Sequence, residues 1–495
     1  MRSDQQQAIN RLAGTSATAF LCAVLCVYPL YIDKFSNLGV TKFTGCFTLF
    51  LLFLLWLVAC TAIGARAPRP RNANAGRDVT LWGVLAFAGT SLISTFTSLS
   101  PTASTWGLGG YYGGLMLVLF TAAGYWAVRS YLDLENLDFV FWVLGITTSI
   151  VAVLYVLNIF NIDLIGAYAD TAVVERAQFF STLGQKDFNG CFFSVALPIV
   201  FYQFLNAKDT RTAVWTGIPA AFGALALAVV DSEALALGIG AAVMVLVCHK
   251  NFTTRHLRRA ALISAAFFGW AAWMHYMRAS VYTQGGTALL AKLGAWQVAL
   301  PCMAASLLLW LVLFVLARKG IAAQAPLYLP GRVITIAVLA VGALAFVLAN
   351  AMPNLPLPES LHNLLVFNDD WGTYRGVAWR AAFGTWADGS LLRKIVGIGP
   401  GMMHTAVAAW AGDAMTARMA TFYAAHNEYL EQLLTTGILG LAAWLLLVAG
   451  NGAGTLPAWP QSCWRCAAIW HRRWYPSGYP WCFRWLCCCS VRWRP

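Results

Sequence analysis

Five groups of residues in this 495-residue chain are of types and spacing able to do chemistry or to hold a ligand. The first is Tyr374-Arg375-Gly-Val-Ala-Trp379-Arg380, in which Arg375 and Trp379 stand four apart and share a face if the segment is helical. An arginine fork donates two parallel charge-assisted hydrogen bonds, which suits a phosphate. The tryptophan suits the bilayer interface, and plain interfacial anchoring explains the same pair. The second group is Gly397-Ile-Gly399-Pro400-Gly401, whose glycines permit a tight turn and a close backbone approach to a ligand. No Gly-Lys-Ser/Thr follows, so it is not a P-loop, and it reads first as a turn. The third is His426-Asn427-Glu428-Tyr429-Leu430, just ahead of an apolar run. A histidine there can act as a general base near neutral pH, or sit at the interface as a satisfied polar group. The fourth holds Arg176 and Ser181-Thr-Leu-Gly184-Gln-Lys186-Asp-Phe-Asn189-Gly190, where Lys186 either faces an anion or snorkels from the top of a span. The fifth, Asp231-Ser232-Glu233, puts two carboxylates at a turn, solvated or orienting a partner.

The elements that must position these groups are membrane spans. Apolar types make up 59 % of the chain and charged types 11 %, against about 45–50 % and about 25 % in a soluble domain. Between charged clusters run stretches of Leu, Ala, Val, Phe and Trp about 20 residues long, which match the bilayer core. A soluble enzyme, a disulfide scaffold and a disordered chain are excluded. We expect an all-α polytopic bundle of about twelve spans, near 15–32, 41–64, 79–98, 112–130, 138–160, 189–206, 212–230, 233–248, 259–278, 293–317, 332–352 and 430–450. Arg2 and Arg11 precede the first span and no small-residue cleavage site follows it, so it reads as a retained helix.

The net charge of +13 sits in short loops and does not imply nucleic acid. Arg66, Arg69, Arg71 and Arg77, then Lys208 and Arg211, then Lys250, Arg255, Arg258 and Arg259, then Arg318, Lys319 and Arg332 fill every second loop. These loops share a side with the N-terminus, and the positive-inside rule makes that side cytoplasmic. The division is then a membrane domain over 1–352, a long outer loop over 353–429, a last clear span over 430–450 and a tail over 451–495. The outer loop begins with Pro353, Pro356 and Pro358, which discourage a continuous helix. An amphipathic stretch from Thr373 to Trp386 follows, then the glycine turn and a second helical stretch. A loop this long without its own core is usually functional. Seven of the thirteen cysteines are scattered through the spans, where Cys acts as a small hydrophobe. The tail holds seven Trp, six Cys and six Arg with no Lys, Asp or Glu, and we expect it to be a frameshifted reading of the gene. A genuine Trp/Arg tail at the interface is the alternative. Cys463, Cys466 and His471 lack a well-spaced fourth zinc ligand.

In their order, these pieces resemble the O-antigen ligase and polymerase superfamily, whose members are polytopic enzymes using polyprenyl-diphosphate-linked glycans. The resemblance rests on Arg375, Trp379, Gly397-Ile-Gly-Pro-Gly401, His426-Asn427-Glu428-Tyr429-Leu430 and Gly437-Ile-Leu-Gly440. Upstream, Trp106-Gly107 with Tyr111-Tyr-Gly-Gly-Leu115, and Ser181-Thr-Leu-Gly184 through Asn189-Gly190, are similar too. It covers about 90–450. It implies that His426 is the general base and that Arg375, with Arg380, binds diphosphate. Many ligases carry a Ser-Arg pair near the position of Ser232-Glu233; here Glu233 stands in its place, and Lys186 or Arg176 is the substitute cation. Members usually continue with further helices after the histidine span, which favours the frameshift reading.

The implied reaction moves a glycan from its diphosphate carrier to an acceptor hydroxyl on the outer face of the bacterial cytoplasmic membrane. Cationic side chains stabilise the departing diphosphate. No Asp-x-Asp or other carboxylate cluster in the outer loop signals a metal, so the expected transfer uses neither metal nor cofactor. The expected partners are the lipid-linked glycan, an acceptor glycan or glycolipid and membrane lipids. Ligation and repeat-unit polymerisation differ only in the acceptor. A transporter or flippase would show internal repeats, broken helices and paired intramembrane charges; no clear repeat stands out. A scaffold without chemistry would make the order of these motifs accidental.

Overall fold

The computed structural model describes residues 2–66, 79–107, 112–132, 134–281, 288–321, 324–352, 355–416, 422 and 424–453. The expectations resting on Arg69, Arg71, Arg77, Tyr111, Pro353 and the tail beyond Ala453 lie outside these residues. The described chain is all-α apart from one two-residue hairpin. Its first half is α1 (Arg2–Cys22), α2 (Tyr28–Leu30), α3 (Leu38–Ala62), α4 (Val79–Phe96), α5 (Pro101–Trp106), α6 (Leu115–Tyr131) and α7 (Leu137–Ile159). The hairpin, β1 (Phe179–Phe180) and β2 (Gly184–Gln185), leads into α8 (Lys186–Asn206), α9 (Thr210–Val229), α10 (Glu233–Cys248) and α11 (Thr254–Ser280). Then come α12 (Ala288–Gly294), α13 (Trp296–Arg318), α14 (Tyr328–Ala351), α15 (Glu359–Leu365), α16 (Trp371–Ala387), α17 (Leu391–Val396), α18 (Met403–Thr416) and α19 (Glu428–Ala453).

Among the described residues, nine helices are long and apolar enough to cross a membrane. They include Phe35–Ala62, whose 28 residues at about 1.5 Å each exceed the hydrocarbon thickness. The chain is therefore a helical membrane protein. On α13 and α14 apolar side chains such as Leu308, Leu311, Ile334 and Val341 point outward, as contact with lipid chains requires.

Hydrogen bonds show which loops share an end of the bundle. Arg259 donates to the carbonyls of Phe204 and Leu205, and Arg255 donates to that of Ala207. Arg332 donates to the Cys248 carbonyl, and Thr254 N–H to that of Ala325. Three of the basic loops thus meet at one end, as their alternation predicts. Separately, Gln6 and Asn10 near the N-terminus hold Gly64 and Arg66. Helix α10 runs from that basic end to Glu233, and the chemistry-bearing groups gather at the opposite end.

The main core lies between α1, α3, α4, α6, α7, α8 and α19. A π-helical turn at Ala23–Val27 separates α1 from α2. Lys42, 1 % exposed on α3, caps the C-terminal end of α2 by donating to the carbonyls of Tyr28 and Pro29 at 3.2 and 3.0 Å, and the Thr182 hydroxyl also donates to that of Pro29 at 2.7 Å. A buried amine is tolerated there because carbonyls at a helix end lack their usual i+4 donors.

One expectation is corrected. The 353–429 segment is not coreless: it builds a buried cluster together with Leu434 of α19. Val377, Ala378, Ala381 and Ala382 of α16 pack with Met403, Ala406 and Val407 of α18 and with Phe422, Ala424 and Ala425. Its buried side chains are largely alanines, which let the helices approach closely but add little to a hydropathy signal.

Candidate functional site

The Ser181–Asn189 motif builds a clamp. The hairpin pairs Phe179 with Gln185 and Phe180 with Gly184, and Ser181 takes a left-handed φ of 56° at its turn. Asn189, fully buried, donates to the carbonyls of Phe180, Gly184 and Gln185, while its Oδ1 accepts from the Ser181 hydroxyl at 2.5 Å. Asn158 of α7 accepts from Ser181 N–H at 2.6 Å. This network fixes the direction in which α8 starts, and Lys186 is its first residue. Lys186 Nζ lies 3.9 Å from Asp231 Oδ2. Arg176, by contrast, lies over the Tyr168 ring at 5.4 Å and donates to the Thr171 carbonyl at 3.4 Å. It braces the preceding loop, where burial holds the Tyr168 phenol above its usual range.

The turn Asp231–Glu233 is the meeting point. Asp231 faces Lys186, Ser232 donates to Asp187 Oδ1 at 3.0 Å, and Glu233 Oε2 lies 4.0 Å from Arg375 Nη1. Arg375 comes from the far end of the sequence. It is carried there by an irregular first turn of α16, where Gly372 and Tyr374 have φ of 61° and 67° and Val377 N–H reaches back to the Asp369 carbonyl. The Arg375 side chain is 15 % exposed and that of Glu233 78 %. Glu233 thus sets a largely exposed carboxylate beside the mostly buried Arg375. Trp379 packs with Trp371 and Phe367 at ring distances of 5.2 and 5.9 Å.

Arg380 turns elsewhere. It pairs with Asp369 and lines, with Asp413 and the backbone around Ala411, a separate cleft of about 530 Å³. The structure therefore brings Lys186 and Arg375 to one turn and sets Arg176 and Arg380 against other partners.

His426 is displayed by a second framework. Its backbone is left-handed, with φ of 49°, a conformation that costs roughly 1–3 kcal/mol outside glycine. Two acceptors hold it. Glu431 Oε2 takes Ala425 N–H at 2.8 Å, and Asn427 Oδ1 caps α19 by taking the N–H groups of Tyr429 and Leu430. The Phe422 ring stands edge-on to the imidazole at 5.8 Å. Ala425, beside His426, and Val377, two residues after Arg375, belong to the same apolar cluster.

The glycine turn supports this framework through its backbone. Ile398 and Met402 are buried, and the N–H groups of Ile398 and Gly399 donate to the carbonyls of Leu434 and Thr435. Helix α19 breaks just beyond, at Gly437. Ser94 donates to the Thr435 carbonyl at 2.6 Å and Ser104 to that of Pro400 at 3.1 Å, which ties the turn to α4 and α5.

One cation escaped sequence reasoning. Arg278, at the end of α11, shares a cleft of about 250 Å³ with Lys186 and Asp231. The available signal was topological, since an arginine at this end departs from the alternation of basic loops. Comparison with family models, curated proteins and solved structures finds no match to the chain.

Proposed function

We propose that this protein is a membrane glycosyltransferase of the O-antigen ligase type, transferring a glycan from a polyprenyl-diphosphate carrier to an acceptor hydroxyl. The observation that carries the reading is the convergence of Arg375 and Lys186 on the Asp231–Glu233 turn. On this reading the two cations receive the diphosphate, whose charge grows as the sugar–phosphate bond breaks. The acceptor oxygen forms the new bond to the anomeric carbon, and its proton passes to His426. The end bearing this site is the outer face of a bacterial cytoplasmic membrane, and the basic end is cytoplasmic. On the same reading α6, α10 and α11 bring the spans to about twelve. The first two are short, at 17 and 16 residues, and α11 carries several arginines. A repeat-unit polymerase uses the same site with a different acceptor.

The break in α19 is a feature that a transporter would share. Its Leu434 and Thr435 carbonyls are bonded by protein donors, however, whereas transporters turn such groups toward their cargo. The deciding experiment compares the native strain, a gene deletion and His426→Ala for polyprenyl-diphosphate-linked glycan. Accumulation in both altered strains, with the variant stably inserted, is expected. Wild-type behaviour of His426→Ala overturns the base assignment, and no accumulation in the deletion overturns the transferase reading.

A further inference from the structure

The cleft between α8, α9 and α11 holds a charge that the Arg375–His426 arrangement leaves unused. Its walls include Tyr155, Phe180, Gln178, Lys186, Asp231 and Arg278. The aromatic pair Tyr155–Phe180 stacks at 4.6 Å and gives it a rigid side. Two cations face one carboxylate, so the lining carries one net positive charge. The Lys186–Asp231 separation of 3.9 Å is longer than the roughly 2.7–2.9 Å of a direct charge-assisted hydrogen bond. The Arg278 Nε is buried, with no hydrogen-bond partner among the described residues. A buried donor left in this way costs roughly 1–3 kcal/mol, more when charged, and calls for an acceptor.

We infer that Arg278 and Lys186 form an oxyanion site for a phosphoryl group. The guanidinium offers a planar pair of donors and the ammonium a mobile point charge. Lys186 also opens a 21-residue helix, whose first N–H groups and dipole favour an anion. Gln178 adds a side chain able to donate. At about 30 Å³ per water, the cleft has room for roughly eight waters, and so for a phosphoryl group without displacing the wall. Only Ser232 separates Asp231, on the Arg278 side, from Glu233, on the Arg375 side. The cleft thus adjoins the turn that also faces Arg375. Naming the ligand a lipid diphosphate rests on the proposed transferase reading; the oxyanion chemistry stands without it.

The test uses the full chain in nanodiscs of zwitterionic lipid. Binding of inorganic diphosphate, a short-chain polyprenyl diphosphate and the matching polyprenol is measured for wild type, Arg278→Ala and Arg278→Lys. We expect Arg278→Ala to weaken a diphosphate-bearing probe at least tenfold, Arg278→Lys to recover part of it, and polyprenol to be unaffected. Loss for both diphosphate probes means that the site takes the phosphoryl group from either source. Loss for the lipid probe alone means that it takes it only from a lipid carrier. Wild-type binding of both, or an equal loss for polyprenol, overturns the proposal. Should Arg278→Ala fail to fold, Gln178→Glu puts a competing carboxylate in the cleft and must weaken the same probes; unchanged binding overturns the proposal as well. These readouts do not depend on transfer, so a failure of the His426 experiment leaves them intact.

Discussion

Gly397 and Gly437 face each other across a seam of bare backbone. A Cβ on Gly397 would fall 2.3 Å from the Thr435 carbonyl oxygen, and one on Gly437 would fall 2.2 Å from that of Ile395. Both residues have positive φ, of 83° and 69°. Gly437→Ala therefore combines roughly 1–3 kcal/mol of backbone strain with a backbone overlap that cannot relax locally. It is expected to lower the thermal stability of the detergent-solubilised protein clearly. Gly342→Ala, where a Cβ meets nothing within 4 Å, is the control. Equal stability of the two variants in fluorescence-detected size-exclusion melting would contradict the seam.

Asn189 is the clamp whose loss should propagate furthest. Asn189→Asp keeps the shape but removes the donor shared by three carbonyls. Leaving buried acceptors unsatisfied costs about 1–3 kcal/mol. On the proposed transferase reading, KM for the lipid-linked donor should rise more than kcat falls, because Lys186 begins the helix that this clamp aims. A variant with unchanged KM and melting behaviour would show that the hairpin holds itself.

Glu233 competes with any anion for Arg375. It is largely exposed, so the pair is worth at most about 1 kcal/mol. On the proposed transferase reading, Glu233→Ala should tighten binding of the lipid-linked donor by a few-fold, whereas Arg375→Ala should weaken it at least tenfold. A direct binding assay in nanodiscs separates these effects, and weaker binding in Glu233→Ala would reverse the assignment.

The basic end should be acid-sensitive. His256 precedes the apolar run of α11 and forms a capping box with Thr253. Burial first, then Arg255 and Arg259, lowers its pKa from the ordinary 6.5 to about 4. Between those values the unfolded chain binds the extra proton and the folded one does not, so stability rises with pH across the window. This contribution is complete above about pH 6.5 and is lost as pH falls toward 4. In His256→Gln the melting temperature should depend less on pH from 7 to 4; an unchanged slope would assign the sensitivity to other groups.

The spans could be read because twenty apolar residues have few other uses, and the alternation of basic loops because charge marks it at intervals along the chain. The 353–429 segment was harder. Ala378, Ala381 and Ala382 bury themselves completely, yet alanine is as common on helix surfaces as inside them. His426 and Arg375 could be singled out by type, but their frameworks could not. The roles of Glu431 and Asn189 depend on contacts made through folded backbone, and Arg278 looks on paper like any cation capping a span. The glycine sequence reads as a turn, and the partners that explain it are Leu434 and Thr435, far along the chain, and Ser104 on α5.

The Thr435 carbonyl accepts from Gly399 N–H and the Ser94 hydroxyl, and its hydroxyl donates to the Glu431 carbonyl. The break in α19 is thus a keystone and not a hinge. Helices α4, α17 and both halves of α19 must travel as one block, carrying the His426 turn with them.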